Sequence, residues 1–200
     1  MEAIITGDII NSRKVSPDDW LPALKSVLKR YGKEPKNWEI YRGDSFQLNT
    51  ATIDALEVAI RIKAEIKQWA GLDVRLAIGL GEVTYRSAKI TESNGTAFLN
   101  SGACFDELKK QTLAIKTPNK DLDAALNVML SLVTLTMERW TETSAKLVKL
   151  KLDHPEANQM EIAKKIGKDG QSTISEGLKR AGYDEIQKVL DYYKLKIQSL

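Results

Sequence analysis

The feature that most constrains this chain is a change of character at Thr117-Pro118-Asn119-Lys120. Before it, strand and helix signals alternate; beyond it the pattern is almost continuous helix. Ala3-Ile4-Ile5 and Ile9-Ile10 predict a buried strand and its exit, with Asp8 at the strand end, and Ser16-Pro17-Asp18-Asp19 reads as a helix N-terminus with acidic residues in its first turn. That helix extends to about Tyr31-Gly32. Trp38-Glu39-Ile40-Tyr41 and Phe46-Gln47-Leu48-Asn49 alternate about a tight Gly43-Asp44 turn, which predicts a hairpin. Apolar residues then recur, mostly at helical spacing, from Thr52 to Trp69 until Gly71 stops them, and Lys63 and Lys67 fall on the face expected to be solvated. Val74 to Gly79 predicts another strand, and Ala97 to about Leu113 another helix.

The order strand, helix, hairpin, helix, strand, helix predicts an α+β class, with a ferredoxin-like or palm sheet covered by helices on one face over residues 1–118. In that arrangement the first strand and the hairpin are neighbours in mid-sheet. Residues 119–200 are expected to form a connecting helix and an all-α helix-turn-helix module. Leu122, Ala125, Leu126, Val128, Met129, Leu132, Val133 and Leu135 form a wide apolar face on the connecting helix, and Trp140-Thr141 starts the next one.

Composition narrows the chemistry. With 200 residues, 42% hydrophobic and 28% charged, the chain can bury a substantial core. No segment approaches the roughly 20 apolar residues that span a bilayer, and Met1-Glu2-Ala3-Ile4-Ile5 lacks the pattern of a signal peptide, so a cytoplasmic location with no membrane partner is expected. Cys104 is the only cysteine and His154 the only histidine, which excludes an intrachain disulfide and a Cys/His zinc cluster. A net charge of +3 permits nucleic-acid binding without demanding it.

Two carboxylates carry the strongest chemical signal. Thr6-Gly7-Asp8-Ile9-Ile10-Asn11-Ser12 and Tyr41-Arg42-Gly43-Asp44-Ser45-Phe46 each place an Asp where an apolar run meets a turn. If strand and hairpin are adjacent, Asp8 and Asp44 lie side by side and can share divalent metal ions at a nucleotide-phosphate site. Each also has a structural use: Gly43-Asp44 suits a tight turn, and Asp8 could cap the turn that follows it. Arg13 and Arg42 are candidates to neutralise phosphate or to pair with surface acids such as Glu82.

In the C-terminal part, Ile162, Ala163 and Ile166, then Gly167, then Ile174 and Leu178 have the layout of a helix-turn-helix, with a turn at 167–170 about one residue longer than usual. The remaining face of the second helix offers Gln171, Ser172, Thr173, Ser175, Lys179 and Arg180, side chains suited to base edges and phosphates of double-stranded DNA. A helical bundle with a merely solvated polar face is the alternative.

These residues carry a resemblance. Asp8-Ile9, Gly43-Asp44-Ser45-Phe46 and Ala77-Ile78-Gly79-Leu80-Gly81-Glu82-Val83 resemble the motifs of class III nucleotidyl cyclases. Over most of its length, including Gly7 to Arg13, Ser93-Asn94-Gly95-Thr96-Ala97-Phe98 and the helix-turn-helix tail, the chain is similar to the SatD family of small bacterial proteins regarded as transcriptional regulators. The cyclase resemblance implies magnesium or manganese on Asp8 and Asp44, with the backbone of Ile9, Ile10, Asn11 and Ser12 near the phosphates of a nucleoside triphosphate. Other cyclase roles do not transfer. The base-selecting position falls on Ile40, and Gly95 to Cys104 supplies an Asn but no Arg four residues after it.

The expectation is therefore a cytoplasmic, homodimeric, DNA-binding transcriptional regulator whose cyclase-like N-terminal domain senses a nucleotide. The alternatives are a metal-dependent nucleotidyl cyclase or nucleotidyltransferase-like enzyme, with Arg42 or a neighbouring protomer supplying the missing charge, and a protein-interaction module.

Overall fold

In the computed structural model, which describes residues 1–167 and 171–200, a five-stranded mixed sheet is built around β1 (Glu2–Ile10). β2 (Trp38–Tyr41), β3 (Ser45–Thr50), β4 (Asp73–Gly81) and β5 (Leu113–Lys116) complete it in the order β2-β3-β1-β4-β5, antiparallel except for the parallel pair β4–β5. Eight α-helices lie among the described residues. α1 (Pro17–Leu28), α2 (Ala55–Ile66) and α3 (Thr96–Glu107) are interleaved with the strands, and α4 (Lys120–Met137), α5 (Glu142–Asp153), α6 (Gln159–Ile166), α7 (Gln171–Arg180) and α8 (Tyr183–Ile197) follow. None is long and apolar enough to cross a membrane.

Helices cover both faces of the sheet, not the single face expected. Because successive strand residues point to opposite sides, Ala3, Ile5 and Ile9 of β1 join the core under α1 and α2, while Ile4 packs with Ala97 of α3 on the other side. Gly79 and Gly81 are what allow α3 so close. A Cβ on Gly79 would sit 2.1 Å from the Ser101 nitrogen, and one on Gly81 would sit 2.6 Å from that of Ala97. The Thr6 and Ser101 hydroxyls, 2.7 Å apart, hydrogen-bond across this contact.

Two boundaries differ from the sequence reading. β1 does not end at Asp8 but continues to Ile10, because residues 8–10 still find ladder partners in Arg75, Val74 and Asp73 of β4. The run Leu113-Ala114-Ile115 is a separate strand and not the end of α3, which stops at Glu107. Three consecutive buried residues carry no alternation that would mark them as a strand.

α2 lies between the sheet and the C-terminal helices, and all of its residues except Glu57 are buried. A single continuous apolar core therefore extends from β1 through α2 to α5, α6, α7 and α8. Lys63 and Lys67 are accordingly not on a solvated face. Lys63 is 0% exposed, and its ammonium donates to Asp73 Oδ1 at 2.6 Å and Thr112 Oγ1 at 3.1 Å. Lys67 donates to Asp73 Oδ2 and to the Glu138 carbonyl. Burial pulls the Lys63 pKa below its ordinary value despite Asp73.

A second ionic cluster joins the two halves of the sequence. Asp153 at the end of α5 accepts from Arg30, Arg61 and Lys149, while Arg61 also donates to Glu57 and to the Leu152 carbonyl. Lys149 additionally pairs with Glu65 and Lys194 with Glu57. On α8, buried Tyr193 donates its hydroxyl to the Thr52 carbonyl, and Trp140 Nε1 donates to the Ala181 carbonyl at 2.8 Å, so both aromatics belong to the core.

The start of α4 is set locally. Asn119 caps it by accepting from the Asp121 and Leu122 amides, directly after Pro118. Its apolar residues do not form one buried face as expected. Leu122, Leu126, Leu130, Val133 and Met137 are buried, but Val128, Leu132 and Leu135 are exposed.

Candidate functional site

Asp8 and Asp44 do reach one cleft. β1 pairs with β3 as far as Asp8↔Ser45, and the Ile9 amide donates to the Asp44 carbonyl at 3.1 Å, which fixes the hairpin turn beside the end of β1. After Ile10 the chain turns through Asn11, held in the left-handed region at φ 62° with its side-chain amide on the Gly71 carbonyl, into a short 3-10 turn at Ser12–Lys14. The resulting open cleft, about 580 Å³, is lined by residues 8–14, Asp44 and Arg75. A contiguous one of about 510 Å³ continues past Ser12, Arg13 and Lys14 to Arg42, Gly43 and the start of α1.

The carboxylates are already engaged. Asp8 stands opposite Arg75 in the β1–β4 ladder and accepts a bidentate pair from it, Nε to Oδ1 at 2.9 Å and Nη2 to Oδ2 at 2.5 Å. That hydrogen bonding raises the Arg75 pKa further above its ordinary value. Its guanidinium also lies 5.3 Å from the Phe105 ring centroid of α3, within cation–π range. Asp44 accepts from Ser12 Oγ at 2.6 Å. Among the described residues no group of three or more His, Cys, Asp or Glu side chains is placed to hold a metal ion.

Sequence reasoning passed over Arg75. The signal was present, since Arg75 is the one charged residue inside the apolar run Val74 to Gly79, but only the pairing register places it against Asp8. Lys14 was also missed. With Arg13, Arg42 and Arg75 it gives the two clefts four cations against the carboxylates of Asp8 and Asp44. This is a field that favours a polyanion over a free cation.

The phosphate-cradle residues fall as follows. Ile9 is buried and its amide is spent on Asp44, and Ile10 pairs with Asp73. Asn11 and Ser12 border the cleft, and exposed Arg42 sits in the hairpin turn at φ 54°. Glu82 pairs with the N-terminal amine and not with Arg13 or Arg42. The Asn offered by the segment before Cys104 is Asn100, whose side-chain amide donates to the Leu80 carbonyl at 2.7 Å. Burial pushes the Cys104 thiol up to about 12, so it is no nucleophile in the native protein.

At the other end of the molecule α6 and α7 pack together through Ile162, Ala163, Ile174 and Leu178, all buried. Asn158 and Glu161 form a reciprocal capping box at the start of α6, and Gly167 ends it at φ 66°. Gly177 lets α7 approach α5, since a Cβ there would lie 2.6 Å from Leu147 Cδ1. Ser172, Thr173, Ser175, Lys179 and Arg180 are all exposed, together with Glu176. The Gln171 side chain and the proposed turn residues 168–170 lie outside the described residues.

Compared with protein-family models and with curated protein sequences, the chain matches none.

Proposed function

We propose that this protein is a DNA-binding transcriptional regulator of the SatD type, in which α6 and α7 form a helix-turn-helix and the sheet forms a cyclase-like, nucleotide-sensing domain. The observation that carries this reading is the exposed arc of α7. Its apolar residues Ile174 and Leu178 and its small Gly177 face inward, leaving hydroxyls and two cations outward on a helix of the right length to enter a major groove. Lys164 and Lys165, exposed on α6, add two cations suited to backbone phosphates. Glu176 within the same arc is suited to accept from a cytosine amino group.

The cyclase-like part of the reading is supported by topology. The succession β1-α1-β2-β3-α2-β4 with neighbours β2-β3-β1-β4 is the split βαβ arrangement, to which α3 and β5 are added. Asp8 and Asp44 are suited to magnesium or manganese arriving with a triphosphate, because two carboxylates leave most of a six-oxygen shell to phosphate oxygens and water, and Asp8 must first release Arg75. Arg13, Lys14, Arg42 and Arg75 would meet the phosphates.

Fluorescence anisotropy with duplex DNA over a salt series tests the proposal. Lys179→Ala and Arg180→Ala should each weaken binding and lower the slope of log affinity against log salt by about 1 if they touch phosphate. Unchanged affinity in both variants refutes the DNA reading. Repeating the titration with ATP or GTP and magnesium tests the sensor, for which an unchanged duplex affinity is the negative result.

A nucleotidyl-transferring enzyme is the second reading, favoured by the same acid–base cleft. Turnover of any nucleoside triphosphate that disappears in Asp44→Ala would support it; turnover indifferent to that change would count against it.

A further inference from the structure

α4 buries one side and leaves another bare. Leu122, Leu126, Leu130 and Met137 are covered, whereas Val128, Leu132 and Leu135 are 62%, 62% and 58% exposed. Positions 128, 132 and 135 are spaced i, i+4 and i+7, so the three side chains form one stripe along the helix. Three large aliphatic side chains in contiguous exposure mark an interaction surface more than a solvated one.

The ends of the stripe identify what covers it. At 3.6 residues per turn, Asp121, Ala125, Val128, Leu132 and Leu135 lie within about 40° of a common line, and Arg139 stands just beyond the helix end. Asp121 and Arg139 are exposed, and among the described residues neither is in an ion pair. An antiparallel copy of α4, related by a two-fold axis at the level of Leu130, brings Val128 against Leu132 of the second copy. It also sets small Ala125 against Leu135 and Asp121 against Arg139. A parallel copy would instead oppose Asp121 with Asp121 and Arg139 with Arg139.

We propose that the protein forms an isologous dimer through antiparallel pairing of the Val128–Leu132–Leu135 stripe of α4, closed at each end by an Asp121–Arg139 ion pair. One surface supplies both partners of every contact, as two-fold symmetry requires. The interface does not depend on DNA or nucleotide binding, and it would give each assembly two copies of α7.

Sedimentation velocity on the full chain at low salt, from about 1 to about 200 μM, tests it. The wild type should pass from monomer to dimer in this range. Leu132→Glu, at a position exposed in the monomer, should raise the dissociation constant about 100-fold or more while leaving the melting temperature of dilute protein unchanged. Asp121→Arg should weaken the dimer about three- to thirty-fold through its two symmetric ion pairs, and Arg139→Asp in the same chain should restore it. A wild type that stays monomeric throughout overturns the proposal and leaves the stripe to a different partner. So does a dimer indifferent to Leu132→Glu, and a charge-swapped double variant as weak as Asp121→Arg alone overturns the antiparallel register.

Discussion

Replacing Asp153 with Asn should loosen the joint between the sheet and the C-terminal helices without removing a side chain's volume. The Asp153 carboxylate, 9% exposed, is the common acceptor for Arg30 at 2.6 Å, Lys149 at 3.2 Å and the equally buried Arg61. Breaking a buried pair by neutralising one partner typically costs about 3–5 kcal/mol, because the other charge remains desolvated. Arg61 keeps Glu57 and the Leu152 carbonyl, both at 2.9 Å, and Arg30 is nearly half exposed, so the lower end, about 3 kcal/mol, is expected. For a chain of this size that is a fall in Tm of about 6–12 °C. The pH dependence gives an independent check. Burial acts to raise the Asp153 pKa, but Arg30, Lys149 and Arg61 outweigh it and hold the carboxyl below its ordinary value. A group depressed in the folded state stabilises above its unfolded pKa of about 3.9 and loses that contribution as pH falls through the folded value. Urea unfolding should therefore give a constant gap between wild type and Asp153→Asn from about pH 5 to 8 that narrows below about pH 4. A gap under about 1 kcal/mol at pH 7, or one that does not narrow in acid, would refute the idea that this cluster fastens the two halves together.

Gly79→Ala should cost about 3 kcal/mol and shift α3 off the sheet, since the new methyl meets the Ser101 and Ala97 backbone and not a movable side-chain end; thermal unfolding checks it. Gly177→Ala should stay within about 1 kcal/mol of wild type, because the Leu147 methyl can rotate away and alanine favours the helix. Cys104 should resist a thiol reagent at pH 8 in the native protein and react at once in urea, given its burial and a pKa of about 12. Fast labelling of the folded chain would contradict its place on the inner side of α3, against Ala77 and Ala114 of the sheet.

Local chemistry was legible wherever a residue's role is fixed by its near neighbours. Ser16-Pro17 starts α1, Gly43-Asp44 turns the hairpin, Asn119 and Thr141 cap α4 and α5, and Gly167 ends α6, all as turn and capping preferences require. The approach of Asp8 and Asp44 was also legible, because one short hairpin beside one strand leaves few ways to arrange them. What neighbours along the chain cannot reveal is how two distant segments register. Arg75 meets Asp8 only through the β1–β4 pairing, and this turns a suspected pair of free metal ligands into a neutralised acid beside an excess of cations. Lys63 and Lys67 occupy a helical face that spacing assigns to water, yet Asp73 at the start of β4, Thr112 just before β5 and Glu138 at the end of α4 meet them there.

The sequence by itself determined the α+β class, the order of most elements, the caps and turns, and the inward residues of α6 and α7, because helix and strand periods and backbone preferences act over a few residues. Tertiary structure alone decided that α3 lies on the opposite face from α1 and α2, that Leu113–Lys116 is a strand, and that Val128, Leu132 and Leu135 of α4 stay uncovered. Those outcomes depend on which distant surfaces pack together, and burial is a property of the whole packed chain and not of any stretch of it.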